Sequence, residues 1–567
     1  FSMSEHKKQS FLHGTMLLAA SAIIVKVIGF FYSVPMNDIL GEVGFGYYST
    51  AYDIYTLLLM ISTTGLPVAM SRMVSAAASL GHYRRMRKIY VVSRTVYLTL
   101  GFLGAVLMTG FSTQLANFQE QPDSWAAIAA LGPSCFLICL MSTYRGYFQG
   151  QSNMIPTSVS QVLEAVVKLV VGIAGAVLLL YYTQSYALAA GGAIAGVTIS
   201  CLASSIYLNR CFRKDYRDLP QSDEEEESTK VVVKTLLAIA IPITIGSAGL
   251  QLLNVLETRI YMSELKHIFT NSFTADQLRQ ILADYHFDGD LAAMTHEQLS
   301  QTLADSQKGI FNFCMKIYNL PVAIITSVNV SLIPAITAQI TRGEQKAAKI
   351  TSESSARITA LLAAPCAIGL AVLSGPVTAL LGGYTGARLD LSTDLMLVFA
   401  MCVLFNSVVQ FTTTLLQAYN HVNLPVINMF IGGIVKLAVV AILTANPAIG
   451  MLGATLGSLS CYLCITALNL ITIKKVIPDA PAIAKNLLRS VFAAVLMGGF
   501  VWLTYYGLTL VLGPATGRNM NAIILCAVPI LVGVVTYVIA ALKFKAITRE
   551  DCLLLPKGDK IAKLLHL

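Results

Sequence analysis

Residues Phe11 to Val34 read FLHGTMLLAASAIIVKVIGFFYSV, twenty-four positions with a single formal charge, Lys26. As a helix this run is about 36 Å long at 1.5 Å per residue, enough to cross a hydrocarbon layer of roughly 30 Å. Comparable apolar runs recur to the far end of the chain. Of 567 residues, 55% are hydrophobic and 12% charged, about half the ~25% charged share of soluble domains. The mean hydropathy is +0.68. These values exclude a soluble enzyme and a disordered chain, and the alternating ten-residue strands of an outer-membrane barrel are absent. The expected fold is an all-α polytopic membrane protein with about fourteen transmembrane helices.

The first two spans are expected near 11–34 and 46–78, the seventh and eighth near 232–263 and 309–340. Orientation follows from the Lys/Arg asymmetry. The N-terminus and the loops after even-numbered spans hold 22 of the 39 Lys and Arg, against five in the loops after odd-numbered spans. That bias places both termini in the cytosol. The net charge of +9 therefore marks a membrane side and gives no reason to expect nucleic acid.

The chain repeats itself. Gly46 matches Gly309, Ile54-Tyr55 matches Ile317-Tyr318, and Arg94 matches Arg357, all at an offset of 263. Gln149 and Lys168 then match Gln417 and Lys436 at an offset of 268. Six spans separate equivalent positions, so two six-helix lobes of like orientation are expected, related by a pseudo-two-fold along the membrane normal. Such repeats belong to alternating-access transporters. The expected organisation is an N-lobe over 1–214, an acidic cytosolic linker over 215–230 containing Asp223 to Glu227, and a C-lobe over 231–475. Two further spans and a cytosolic tail fill 476–567. The C-lobe carries an external insertion, 265–308. Within it Thr274-x-x-Gln277 and Thr295-x-x-Gln298 each spell a capping box, which predicts two short amphipathic helices.

Ionisable residues inside a membrane are costly, so each marks a candidate site. Lys26 is mid-span with no acid at i±3 or i±4, and an ammonium there needs a wet cavity or an anionic ligand. Arg72 follows Gly65-Leu66-Pro67 in span 2 and either snorkels or faces that cavity. Glu257 and Arg259 stand at the outer end of span 7. Lys26, Arg72, Arg259 and Glu257 together form the expected substrate site, cationic on balance and suited to phosphate or pyrophosphate. Glu164 at i−4 of Lys168 predicts an intrahelical ion pair. Lys436, its repeat equivalent, has Gly432 at i−4 and needs a partner from elsewhere. Asp53 and Lys316 are repeat-equivalent and of opposite charge, which predicts a gating pair.

Three segments carry a family resemblance: Lys26-Val27-Ile28-Gly29-Phe30, Gly65-Leu66-Pro67-Val68-Ala69-Met70-Ser71-Arg72, and Tyr144-Arg145-Gly146-Tyr147-Phe148-Gln149-Gly150. Together they resemble the MOP flippase superfamily, nearest its SpoVB/YtgP polysaccharide-transport group and related to MurJ-type lipid II flippases. The resemblance covers essentially the whole chain. In MurJ-type proteins a basic residue precedes the Gly-Phe stretch of span 1, and Lys26 stands there. An Arg-Asp pair and basic residues of span 2 follow in those proteins, where this chain has Tyr32-Ser33 and Leu59-Met60.

The resemblance implies a transporter and not an enzyme. It would be a flippase moving an undecaprenyl-pyrophosphate-linked cell-wall precursor, lipid II first, from the cytoplasmic to the outer leaflet. The alternatives are export of another polysaccharide or teichoic-type lipid-linked unit, and cation-coupled multidrug export on the same fold. The expected partners are that glycolipid and membrane lipids, with the protein a monomer. No cofactor and no metal are expected. The chain lacks a GxxxxGK[ST] loop, so the membrane potential, Na+ or H+ is the expected driving force.

Overall fold

The computed structural model describes residues 11–547 apart from 64, 221–226, 288, 478 and 545. Asp223 to Glu226 of the acidic run and the end of the expected cytosolic tail thus lie outside the described residues. No β-strand occurs among those that are described. The chain divides into two compact units, Phe1–Met262 and Ser263–Leu567. The first holds α1 (Phe11–Thr63), α2 (Gly65–Ser79), α3 (Tyr83–Gly110), α4 (Ser112–Phe118), α5 (Trp125–Gly150), α6 (Ile155–Thr183), α7 (Tyr186–Arg217) and most of α8 (Thr229–Ser272). The second holds α9 (Ala275–Asp284), α10 (His296–Thr341), α11 (Gln345–Val372), α12 (Ser374–Gly382), α13 (Gly386–Ala418), α14 (Asn423–Thr444), α15 (Leu452–Val476), α16 (Ile483–Leu512) and α17 (Met520–Lys543).

Thirteen helices among the described residues are long and apolar enough to span a membrane. The first of them, Ala20–Ser79, crosses twice. Gly41 adopts φ 60°, ψ −179°, a conformation open to glycine and strained for other residues. It breaks α1 into two arms. The rings of Tyr32 and Tyr48 lie 6.2 Å apart, whereas sixteen residues along a straight helix would separate them by about 24 Å. The arms therefore fold back on each other. The loop expected over 35–45 is helical instead, and one glycine makes the reversal.

The internal repeat reappears as helix order. The breaks α5/α6 and α13/α14 share the offset of 268, Gly150 with Ala418 and Ile155 with Asn423. Short α4 follows the helix of Arg94, and short α12 follows the helix of Arg357. That second match has no clear counterpart in the sequence pattern. In the second unit a buried polar ladder ties three helices together: Asn428 Nδ2 donates to Asn469 Oδ1 at 2.8 Å, and Asn469 Nδ2 donates to Thr412 Oγ1 at 3.0 Å. Satisfied polar contacts of this kind hold helices together where lipid supplies no hydrophobic drive.

Of the two expected insertion helices, one is separate. α9 opens on Thr274, whose hydroxyl accepts from Gln277 N while the Gln277 side chain accepts from Thr274 N, a complete capping box. The second copy has the same reciprocal pair, Thr295 with Gln298, but runs on without interruption as the first turns of α10. Gly309 follows it inside the helix, and the first proline after it, Pro321, comes only in mid-helix. At the linker, Glu227 pairs with Arg85 at 2.9 Å, and Arg87 donates to the Leu219 carbonyl at 2.8 Å.

Candidate functional site

Two helix faces with the same spacing build the site in the first unit. Ala22, Val25, Lys26 and Gly29 of α1 stand at i, i+3, i+4 and i+7. Gln161, Glu164, Ala165 and Lys168 of α6 repeat that spacing. Such positions share one side of a helix. With Arg145 of α5 they enclose a cavity of about 280 Å³, near the lower end of the ~300–1,000 Å³ usual for ligand pockets. A diphosphate fits that space. Lys26 is about 22 Å along α1 from Gly41, deep in the crossing.

Lys26 is exposed to this space and makes no hydrogen bond or ion pair among the described residues. Arg145 is held from α6: its Nη2 lies 3.0 Å from Glu164 Oε2, and its Nε donates to Ser160 Oγ at 3.1 Å. The expected intrahelical pair between Glu164 and Lys168 is therefore replaced. Arg145 offers Glu164 a planar donor that a lysine cannot. The Lys168 ammonium lies over the faces of Tyr32 and Tyr52 instead, 5.3 and 5.8 Å from their centroids, within cation–π range. Those rings are available because the fold-back at Gly41 brings both arms of α1 against α6.

Glycines position Arg145. A Cβ added at Gly150 would collide with Val74 and the Ser71 carbonyl. α5 and α2 thus pack backbone to backbone along the Gly146-x-x-x-Gly150 edge. This directs α2's buried face, Leu66, Ala69, Met70, Met73, Val74 and Ala77, to its neighbours. Arg72 lies off that face, exposed, and does not line the cavity.

Glu257 and Arg259 are likewise elsewhere. Glu257 is buried on α8, and the Arg259 guanidinium lies 4.3 Å from the centroid of Phe118 on α4. Asp53 accepts from Thr258 Oγ1 at 3.2 Å. Lys316 and Lys436 belong to the second unit, half-buried on α10 and α14. Of the four residues expected to bind substrate, only Lys26 lines this cavity. Its other charges are Arg145, Glu164 and Lys168, three cations against one acid.

The second unit holds a different space, about 520 Å³ and lined without a charged residue. Pro365 and Leu370 of α11, Met497 and Val501 of α16, and Val534 and Tyr537 of α17 are among its walls.

Comparison with known proteins places the chain. Residues 11–340 match the family model described as polysaccharide biosynthesis protein, and residues 290–512 match that of the lipid II flippase MurJ. Stage V sporulation protein B of Bacillus subtilis (strain 168) is 27% identical over 87% of this chain and 89% of its own length. The lipid II flippase MurJ of the same organism is 24% identical over 75% of this chain and 76% of its own. Among solved structures, a lipid II flippase MurJ in an inward closed conformation aligns with a TM-score of 0.66 at 13% identity, over 93% of this chain and 98% of that one. An inward-facing MATE family transporter of the MOP superfamily aligns with a TM-score of 0.59 at 13% identity, over 80% and 100%. At such identities the likeness is one of fold.

Proposed function

Because this chain belongs to the polysaccharide biosynthesis protein family, we propose that it is a flippase for a lipid-linked saccharide precursor with an anionic diphosphate headgroup. The single observation that carries this reading is the cavity of Lys26, Arg145 and Lys168 with Glu164 inside an apolar bundle. A net positive, low-dielectric pocket suits a diphosphate and disfavours a cationic drug. The relatives' names support a lipid-linked cargo. Lipid II is the first choice of cargo, and another undecaprenyl-linked polysaccharide unit is the second.

In this reading the membrane is the bacterial cytoplasmic one, and the Lys/Arg-rich loops and both termini face the cytosol. The diphosphate meets Lys26 from the cytosolic side. Arg145 turns from Glu164 toward the phosphate oxygens, and Lys168 adds field without a direct bond. Alternating access then carries the headgroup outward. An inside-negative potential favours that movement by about 2.3 kcal/mol per negative charge per 100 mV, and Na+ or H+ coupling is the other source of drive.

The test is native mass spectrometry of the purified protein offered lipid II, undecaprenyl pyrophosphate and a neutral polyprenol in competition. Retention of the two diphosphates over the neutral lipid, lost in Lys26→Ala, is the expected result. Preference for lipid II over bare undecaprenyl pyrophosphate would fix the headgroup. Equal retention of the neutral polyprenol would overturn the charge argument.

A further inference from the structure

A third cavity, of about 490 Å³, is lined by Arg489, Phe492, Val495, Leu496 and Phe544. We propose that it binds an anionic glycerophospholipid of the surrounding membrane, its phosphate on Arg489 and an acyl chain along the apolar wall. Arg489, Phe492 and Leu496 stand at i, i+3 and i+7 on α16, one face of the helix. That face runs about 10 Å from the cation to Leu496. Phe544 follows the last residue of α17 and closes the groove from the neighbouring helix. The wall is open to lipid: Phe492 is 63% exposed and Phe544 47%.

The charge at the mouth has no internal use. Arg489 makes no hydrogen bond or ion pair among the described residues. No acid stands at i±3 or i±4 of it. Asp479, just before α16, is already paired with Lys349 at 2.6 Å. Lys474 and Lys475 are exposed at the end of α15, shortly before α16, and Lys543 is exposed at the end of α17, next to Phe544. The Lys/Arg bias assigns these termini to the inner leaflet, where anionic lipid attracts basic residues. A guanidinium holds a phosphate through two parallel donors. The uncharged space of the second unit lacks any such anchor, so the phosphate distinguishes the two.

Full-length protein is titrated in detergent with phosphatidylglycerol or phosphatidylcholine of identical chains, and bound lipid is counted by native mass spectrometry. Phosphatidylglycerol is expected to be retained preferentially. Arg489→Ala lowers that retention about tenfold, the loss expected for one charge-assisted hydrogen-bonded contact. Arg489→Lys keeps part of it. Val495→Trp, which fills the groove, lowers retention with the arginine intact. Lys26→Ala leaves it unchanged, which separates this site from the proposed cargo cavity. Equal retention of both phospholipids, or unchanged retention in a folded Arg489→Ala protein, overturns the assignment. So does full displacement of phosphatidylglycerol by equimolar undecaprenyl phosphate, which would make the groove a cargo path.

Discussion

Replacing Glu164 by Gln separates an anion site from a cation site by the sign of its effect. Arg145 and Glu164 meet at 3.0 Å with 18% and 28% of their side chains exposed. Two unit charges about 4 Å apart attract by about 4 kcal/mol at an effective dielectric constant near 20. Part of that is already spent on desolvating both groups, and water in the cavity screens more of it. An incoming diphosphate must compete with Glu164 for the guanidinium and is also repelled by the carboxylate. Gln removes both penalties and keeps a carbonyl that accepts from Arg145. The cavity's formal charge rises from +2 to +3.

A net gain of about 1.5 kcal/mol follows, roughly tenfold tighter binding. The assay is isothermal titration of undecaprenyl pyrophosphate into purified wild-type and Glu164→Gln protein, with a thermal melt to confirm folding. Lys26→Ala is the opposing control and should weaken binding about tenfold or more. If Glu164→Gln binds the diphosphate less tightly while its melt is unchanged, the carboxylate serves something other than anion exclusion, and the argument fails. A cation exporter on this fold predicts that loss.

Other expectations follow from single contacts. Lys168→Met keeps the volume against Tyr32 and Tyr52 but removes the ammonium; diphosphate affinity should fall severalfold with little change in the thermal midpoint, read by titration and melt. Gly150→Val pushes two methyl groups into Val74 and the Ser71 carbonyl and should destabilise by about 1–3 kcal/mol, seen as a lower melting temperature. Gly41→Ala puts a side chain into a backbone conformation that essentially only glycine adopts, at a cost of about 1–3 kcal/mol, measurable in the same melt. Arg85→Ala breaks a half-buried ion pair with Glu227 and should move stability by about 1 kcal/mol.

Which of these features the sequence could disclose depends on the range of the interaction. Lys26 was legible because a lone charge inside a long apolar run has no local partner. The α9 capping box was legible because its two residues are three positions apart. The faces 22/25/26/29 and 161/164/165/168 are also written locally, but only packing shows that they oppose each other. Arg145 is the instructive miss. It lies near the end of its span, where a basic residue ordinarily belongs to the interface, and its partner is nineteen residues away on the next helix. The helical i, i+4 rule sees only Lys168 for Glu164. It cannot see a guanidinium arriving from α5 because two glycines let that helix approach α2.

The reversal at Gly41 hides in the same way. The sequence around it is rich in glycine, and nothing local says which one takes the positive φ. Yet that residue decides that Tyr32 and Tyr52 reach Lys168, and so frees Glu164 for Arg145. The expected site and the observed cavity share only Lys26, but both sum three cations against one acid. Each cation reaches the bundle interior only at a cost in solvation. A surplus of basic groups within apolar helices therefore constrains the sign of what they can hold more firmly than it identifies the members. Glu164→Gln tests that sign directly, because the added positive charge must act on the diphosphate whichever cation makes the first contact.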